Sequence, residues 1–557
     1  MTGRIPREVL WLLIATAITF VPFAWAGFFW DDRMVFREGG AVESLATLLE
    51  IPFRRCMLFP SHVEYDYYRP VIDSLFVLEY AVAGRTPFLY HLTNYTLHLA
   101  NVLLAFGLLR RVLTGTHAGI AAAAGLAVFA LHPIQSESVM WIAARPGVIS
   151  LSFGLLMIHG LVRMVEANIP ARAWLWGAAA CSAYFLSLMS KEVAVALVPG
   201  LVPLVLLVPR ERRVRAIAAI CSLAAVTAAY LTINRAPGGN LGATIETLGL
   251  GGYAAAVFRF CAFYTGTLAW PFDMIPNYPL WIDKKSGMLP LGVVSMLAVL
   301  GVAGWAFSTR SPRGIVAGTA LVYMGGSLVL PTLGGQFQVA DRYAYQSMLG
   351  LGIAVAAGIS VALERWPRAD GRVGRVAALA ALLMAAISLL QSLLWASERV
   401  MWTHAIRVDP KNMDARFDLS DYAIEAGNTE LAVEHLQVGL SAGRPYSENY
   451  LAYRALLLGQ LLGKLGRGQE AFAPLEIAKN NAMFFGQATV LEAIIQNDAG
   501  NRAESTRLLD SLPREGQPWN VYLSAASIAR AQGDMEKARE WYRLARASGA
   551  PEDRSYE

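Results

Sequence analysis

The chain of 557 residues is 55% hydrophobic and only 16% charged, with a formal net charge of +5. That balance excludes an ordinary soluble protein of this length and predicts an integral membrane protein with no nucleic-acid partner. The four cysteines, Cys56, Cys181, Cys221 and Cys261, lack metal-ligand spacing, and three lie in apolar helical stretches as small hydrophobes.

The first apolar run, residues 9–29, is uncharged and reaches the ~20 residues a spanning helix needs. Its end near Ala24-Trp25-Ala26 offers no convincing cleavage site, so it is expected to be retained. Trp30, a residue type favoured at the membrane interface, follows, and then Asp31-Asp32. Carboxylates at the lip of a span can reach a lipid-anchored reactant and a soluble one; a plain polar helix end is the alternative. Residues 71–83 are too short to cross and predict an outer helix lying on the membrane.

Further apolar runs cover 88–109, 118–133, 147–162, 173–189, 193–209, 216–233, 289–307, 314–331, 343–362 and 374–395. With the first they give an all-α polytopic domain of about 11 spans. Arg4/Arg7, Arg110/Arg111, Arg163/Arg172, Arg210–Arg215, Arg310/Arg313 and Arg365–Arg375 fall in alternate connections, which the positive-inside rule puts in the cytoplasm. Counting 254–270 as a span would put Arg310 and Arg313 outside, so that run reads as an interfacial or re-entrant helix. The opposite connections, outer loop 28–87 included, then carry Asp31-Asp32, Arg69, His132, Glu137, Lys191-Glu192 and Asp341-Arg342.

Composition shifts at about residue 396, dividing a membrane domain (1–395) from a slightly acidic tail (396–557). Glycine turns at Gly427-Asn428, Gly466-Arg467, Gly500-Asn501 and Gly533-Asp534 recur every 33–39 residues, close to the ~34-residue tetratricopeptide period. Small residues (Ala432, Ala471, Ala538) and larger ones (Leu436, Leu475, Leu509, Tyr542) follow them, as packed helix pairs require. The tail is expected to form an α-solenoid of three or four repeats whose groove suits an extended peptide, on the same outer side as Asp31.

No Gly-x-Ser-x-Gly elbow, His-Glu-x-x-His helix or phosphate-binding glycine loop is present, which removes support for hydrolase and ATPase chemistry. Acids beside fixed cations suit transfer of a sugar from a polyprenyl phosphate. A carboxylate, Asp31 or Asp32, takes the proton of an acceptor hydroxyl. Arg69, Lys191 and Arg342 stabilise the departing phosphate. His132, Glu137 and Asp341 are further candidates, with helix capping as the alternative for the first two. Arg69 has Glu64 or Asp66 as ordinary ion-pair partners, Lys191 has Glu192 and Arg342 has Asp341. His91, Asn94 and His98 share one helix face and read as internal packing polars. Tyr67, Tyr68, Trp270 and Trp281 read as an interfacial belt.

The chain resembles the transmembrane and tetratricopeptide-containing proteins and their bacterial relatives, within the GT-C class of membrane glycosyltransferases. The resemblance runs through Trp30-Asp31-Asp32, Tyr67-Tyr68-Arg69-Pro70 and Pro87 to Asn94. It continues in His132 to Val139, Ser190-Lys191-Glu192, Ala340 to Tyr343 and the junction Trp402 to Pro410. It implies a GT-C fold, a dolichyl- or undecaprenyl-phosphate sugar donor, and O-glycosylation of Ser or Thr in protein, mannosylation in the eukaryotic members. It also implies Asp31 as base and Arg69 as a phosphate ligand. Where family members often carry Arg-x-Asp, this chain reads Arg145-Pro146-Gly147.

The expected function is therefore transfer of mannose or a similar sugar to protein, with the repeats binding the acceptor. Transfer to a lipid or envelope glycan, and a non-catalytic membrane scaffold, are the alternatives. No cofactor is required; the paired acids would admit Mg²⁺ or Mn²⁺, but no further ligands gather around them. The expected location is a bacterial inner membrane with site and repeats periplasmic.

Overall fold

Proline opens many of the helices, among them Pro70–Ala83, Pro87–Leu109, Pro146–Glu166 and Pro170–Ser190. Its missing N–H costs nothing at a first turn. The computed structural model describes residues 5–55, 58, 68–234, 241–278, 288–333, 339–443 and 447–556, with no strand among them. Tyr67, Trp281, Glu64, Asp66 and Cys56 lie outside the described residues. The chain divides into Met1–Met401 and Trp402–Glu557, a few residues beyond the composition shift.

Among the described residues of the first unit, eight helices are long and apolar enough to cross a membrane. These are Arg7–Trp25, Pro87–Leu109, Ile142–Glu166, Pro170–Ser190, Arg210–Ile233, Leu289–Ser308, Tyr345–Arg365 and Pro367–Trp395. Ala118–Leu131 and Pro133–Met140, bent by 49° at His132, make a ninth if taken as one span. This is a multi-pass membrane protein. Run 314–331 lies in the helix Pro312–Leu333, and run 254–270 largely in Leu241–Ala269, which turns at Gly249.

The run 193–209, expected as a regular span, is instead broken into Glu192–Ala196, Leu197–Leu201 and Val202–Leu207, the first and last of them 3-10 turns. Pro199 and Pro203 remove two backbone donors there. The stretch starts beside Lys191, and Arg212, five residues beyond its end, donates to Val165 O and to Asn168 Oδ1. The 3-10 turns rise about 2.0 Å per residue, against about 1.5 Å in an α-helix, so the broken stretch is longer than a regular helix of its residue count.

The basic connections pair with one another's acids: Arg111 with Glu166, beside the Arg212 contacts, and Arg313 with Glu364, while His117 lies 3.9 Å from Asp370. Close helix contact relies on small residues. A Cβ on Gly125 would stand 2.3 Å from Gly352 O, so Ala118–Leu131 and Tyr345–Arg365 meet backbone to backbone.

The described residues of the second unit hold four helix pairs. They are Met413–Glu425 with Thr429–Ser441, Glu448–Lys464 with Gly468–Lys479, Phe485–Asp498 with Arg502–Asp510, and Trp519–Ala531 with Met535–Ala547. Between the members of each pair stand Gly427, Gly466, Gly500 and Gly533, at φ 72°, 72°, 85° and 87°, values that favour glycine. Asn428 and Asp534 cap the following helices, accepting from Leu431 N and Lys537 N. Ala432, Ala471 and Ala538 are fully buried, and Leu436, Leu475 and Leu509 fill the interfaces beside them. The result is a tetratricopeptide-type α-solenoid.

Candidate functional site

Trp30 stands at φ 45°, ψ −106°, a left-handed conformation that a bulky residue rarely adopts. It opens the short helix Asp31–Val35. Asp32 is fully buried, its Oδ2 accepting from Phe29 N at 3.0 Å and its Oδ1 from Ala143 N at 2.8 Å. Burial pushes its carboxyl well above the usual range, against the pull of those two donors. Both Asp32 oxygens thus tie the turn to the segment Ile142–Ala144. Asp31 is half-buried and lies within electrostatic reach of Arg342.

Three cations converge there from separate connections. Arg342 sits with its guanidinium 5.1 Å from the ring centroids of both Trp141 and Tyr343. Its partner is Glu137 and not Asp341: Glu137 Oε2 accepts from Arg342 N at 2.7 Å, and Oε1 pairs with the guanidinium. Lys191 Nζ donates to Arg342 O at 3.4 Å and lies 5.4 Å from the Tyr343 ring. Burial, then the neighbouring Arg69 charge, lower Lys191 from 10.5 to about 7. Arg69 donates to both oxygens of Glu192, at 3.1 and 3.2 Å.

The remaining candidates serve the scaffold around these groups. His132 Nδ1 accepts from Ile134 N, capping the helical turn Pro133–Gln135, and its Nε2 lies 3.3 Å from Leu268 O. Asp341 is buried and takes the Tyr278 hydroxyl on both oxygens at 3.0 Å. Burial, then nearby Glu137, push its carboxyl well up. Tyr345, next along, pairs with His98 at 2.9 Å and takes Asn101 Nδ2 at 3.2 Å. His91 and Asn94 contact Gly27 O and Trp141 O at 3.1 Å each, so all three packing polars hold the site's walls.

Sequence reasoning missed Glu398 and the tryptophan stack. Glu398 Oε1 accepts from Trp30 N and Arg33 Nη2, both at 2.9 Å. Trp141 stacks between Trp30 (5.7 Å) and Trp395 (6.0 Å). Glu398 is the first acid after the last apolar run, the one signal that marks it. Arg145, at the departure from the family pattern, is fully buried against Glu79, and donates to Tyr90 O at 2.7 Å. Among the described residues no three or more His, Cys, Asp or Glu are grouped to hold a metal.

Fold and site together define a multi-pass membrane protein with a helical-repeat unit and an acid–cation cluster at one end of its bundle. The chain is similar, 36% identical over 128 residues, to Protein O-mannosyl-transferase Tmtc1 of Drosophila melanogaster, covering 22% of this chain and 14% of that protein. To Protein O-mannosyl-transferase TMTC2 of Homo sapiens it is 36% identical over 110 residues, 20% of this chain and 13% of that protein. The matches therefore span a small part of these relatives' length. The crystal structure of MamA matches 27% of this chain and 86% of its own at 15% identity and a TM-score of 0.23. No family model matches the chain.

Proposed function

We propose that this chain is a GT-C-class glycosyltransferase that moves mannose or a similar sugar from a polyprenyl phosphate to Ser or Thr hydroxyls of a protein bound by the repeats. One observation carries this reading: Asp31 shares a cluster with Arg342, Lys191 and Arg69, brought together from three connections far apart in the chain. Partial similarity to protein O-mannosyl-transferases supports it.

Asp31 takes the proton of the acceptor hydroxyl as its oxygen bonds to the anomeric carbon. The bond from that carbon to the phosphate oxygen breaks, and polyprenyl phosphate departs with the electron pair. Arg342, Lys191 and Arg69 offset the charge gained by the leaving group. Asp32, held by two backbone donors, fixes the turn that presents Asp31. Pairing among the basic connections favours a cytoplasmic place for them and a periplasmic one for the site, in a bacterial inner membrane. The repeats, which follow the last span directly in the chain, then share the periplasm.

Glycoproteomics of envelope proteins tests this with the gene intact, deleted, or carrying Asp31→Asn. Glycopeptides are expected to vanish in the last two while protein level holds. Identical glycopeptides in all three strains would remove the proposal.

A further inference from the structure

The turn before Asp31 is strained, and what holds it comes from far along the chain. Trp30 at φ 45° is in a conformation that L residues with side chains seldom enter. Such a backbone persists only where its surroundings over-determine it. Two of the clamps are on the turn's own side of the fold: Asp32 binds Phe29 N and Ala143 N. The others belong to residues 395–398. Glu398 Oε1 takes the Trp30 N–H and the Arg33 guanidinium, each at 2.9 Å, and so bridges the two residues that flank Asp31-Asp32. Trp395 packs 4.8 Å from Phe29 and lies nearly parallel to Trp141, which itself stacks on Trp30.

Glu398 is only 8% exposed, so water competes poorly for these bonds. A carboxylate acceptor gives shorter, stronger bonds than a neutral one. The Trp30 amide is a backbone donor, so the contact fixes main-chain direction at the residue before Asp31. We infer that Glu398 is the positioning residue of Asp31: by fixing the strained Trp30 backbone, it holds the base beside Arg342. The role rests on the reading of Asp31 as the catalytic base. Glu398 acts through the Trp30 backbone.

The test uses the full-length protein and three variants, Glu398→Ala, Glu398→Gln and Asp31→Asn. Amide hydrogen exchange is read over residues 28–36, binding is read with undecaprenyl phosphate as probe, and envelope glycopeptide occupancy is read in cells. Glu398→Ala should speed exchange at the Trp30 amide and cut occupancy about 100-fold, as expected when a reacting group is displaced by about 1 Å. Its undecaprenyl phosphate affinity should stay unchanged, because Arg69, Lys191 and Arg342 are intact. Glu398→Gln, whose amide oxygen can accept from the same donors, should keep slow exchange and most of the occupancy.

Wild-type exchange and occupancy in Glu398→Ala would overturn the inference. Faster exchange throughout residues 5–401, with probe binding lost, would reduce Glu398 to a stability role and overturn it too. Full occupancy in Asp31→Asn would remove the catalytic reading and the positioning role with it. Local loosening at Trp30 would still be visible in that case, so the two failures are distinct.

Discussion

Lys191 is the residue where burial and chemistry conflict most. Its amine is enclosed beside two arginines, and burial with their like charge brings it from 10.5 to about 7. A base lowered in this way is charged below about pH 7 and neutral above it. Its contribution to phosphate binding is therefore present at pH 6 and lost as pH rises through 7. Binding an anion restores the charge, so each bound donor takes up a proton above that point, and affinity falls by at most about tenfold per pH unit. Folding linkage has the opposite sign: from about 7 up to the ordinary lysine value the unfolded chain holds the extra proton, so stability rises with pH. Titration of undecaprenyl phosphate binding between pH 6 and 9 should show the decline in wild type and a flat profile in Lys191→Arg. A flat wild-type profile would contradict the assignment. The three cations were legible in the sequence because alternate connections share a face. Their partners were not: Glu192 lies 123 residues from Arg69 and Glu137 lies 205 from Arg342, and neighbours in sequence looked nearer.

Helices position this cluster, and one crossing matters more than the rest. Tyr345–Arg365 begins three residues after Arg342, and its backbone touches Ala118–Leu131 at Gly125 and Gly352. A methyl on Gly125 would lie 2.3 Å from Gly352 O and 2.5 Å from Ala356 Cβ, too close for a side-chain adjustment to absorb. Gly125→Ala must push the helices apart, at a cost of about 1–3 kcal/mol. It should lower the thermal midpoint in detergent, and it should weaken undecaprenyl phosphate binding because Arg342 moves with its helix. An unchanged midpoint would show that the helices can separate freely there. Apolar runs located these helices well, since a span is a property of local composition. The break in 193–209 was equally present, as Pro199 and Pro203, but average hydropathy passes over two prolines. Glu398 escaped for the opposite reason: it stands where composition had already turned polar, so only its place as the first acid after the last apolar run set it apart.

At the scale of the whole molecule, the question is whether the repeats are a domain in the thermodynamic sense. Their apolar residues form two clusters wholly within residues 413–556: one around Phe417, Leu436, Leu462 and Leu475, the other around Leu509, Tyr522 and Trp541. The last repeat is closed by its own chain, with Tyr556 stacked on Tyr542 and Arg514 4.0 Å over Trp541. Solenoid stability is close to a sum of repeat and nearest-neighbour terms, so an array of four pairs with a closed end has what it needs to fold alone. A fragment covering 396–557, which keeps the helix Glu398–Val408 whole, should be soluble and helical by circular dichroism, with a cooperative thermal transition. Leu475 is fully buried, and its side chain meets Gly459 of the paired helix so closely that a Cβ there would stand 2.6 Å away. Leu475→Ala should therefore remove about 2–5 kcal/mol. Because coupling runs between neighbours, the loss should fall mainly on Glu448–Lys479, with Trp519–Ala547 retaining its hydrogen-exchange protection. A fragment without a cooperative transition would mean that the repeats need the membrane unit to fold, and that the divide at Met401 is one of packing only.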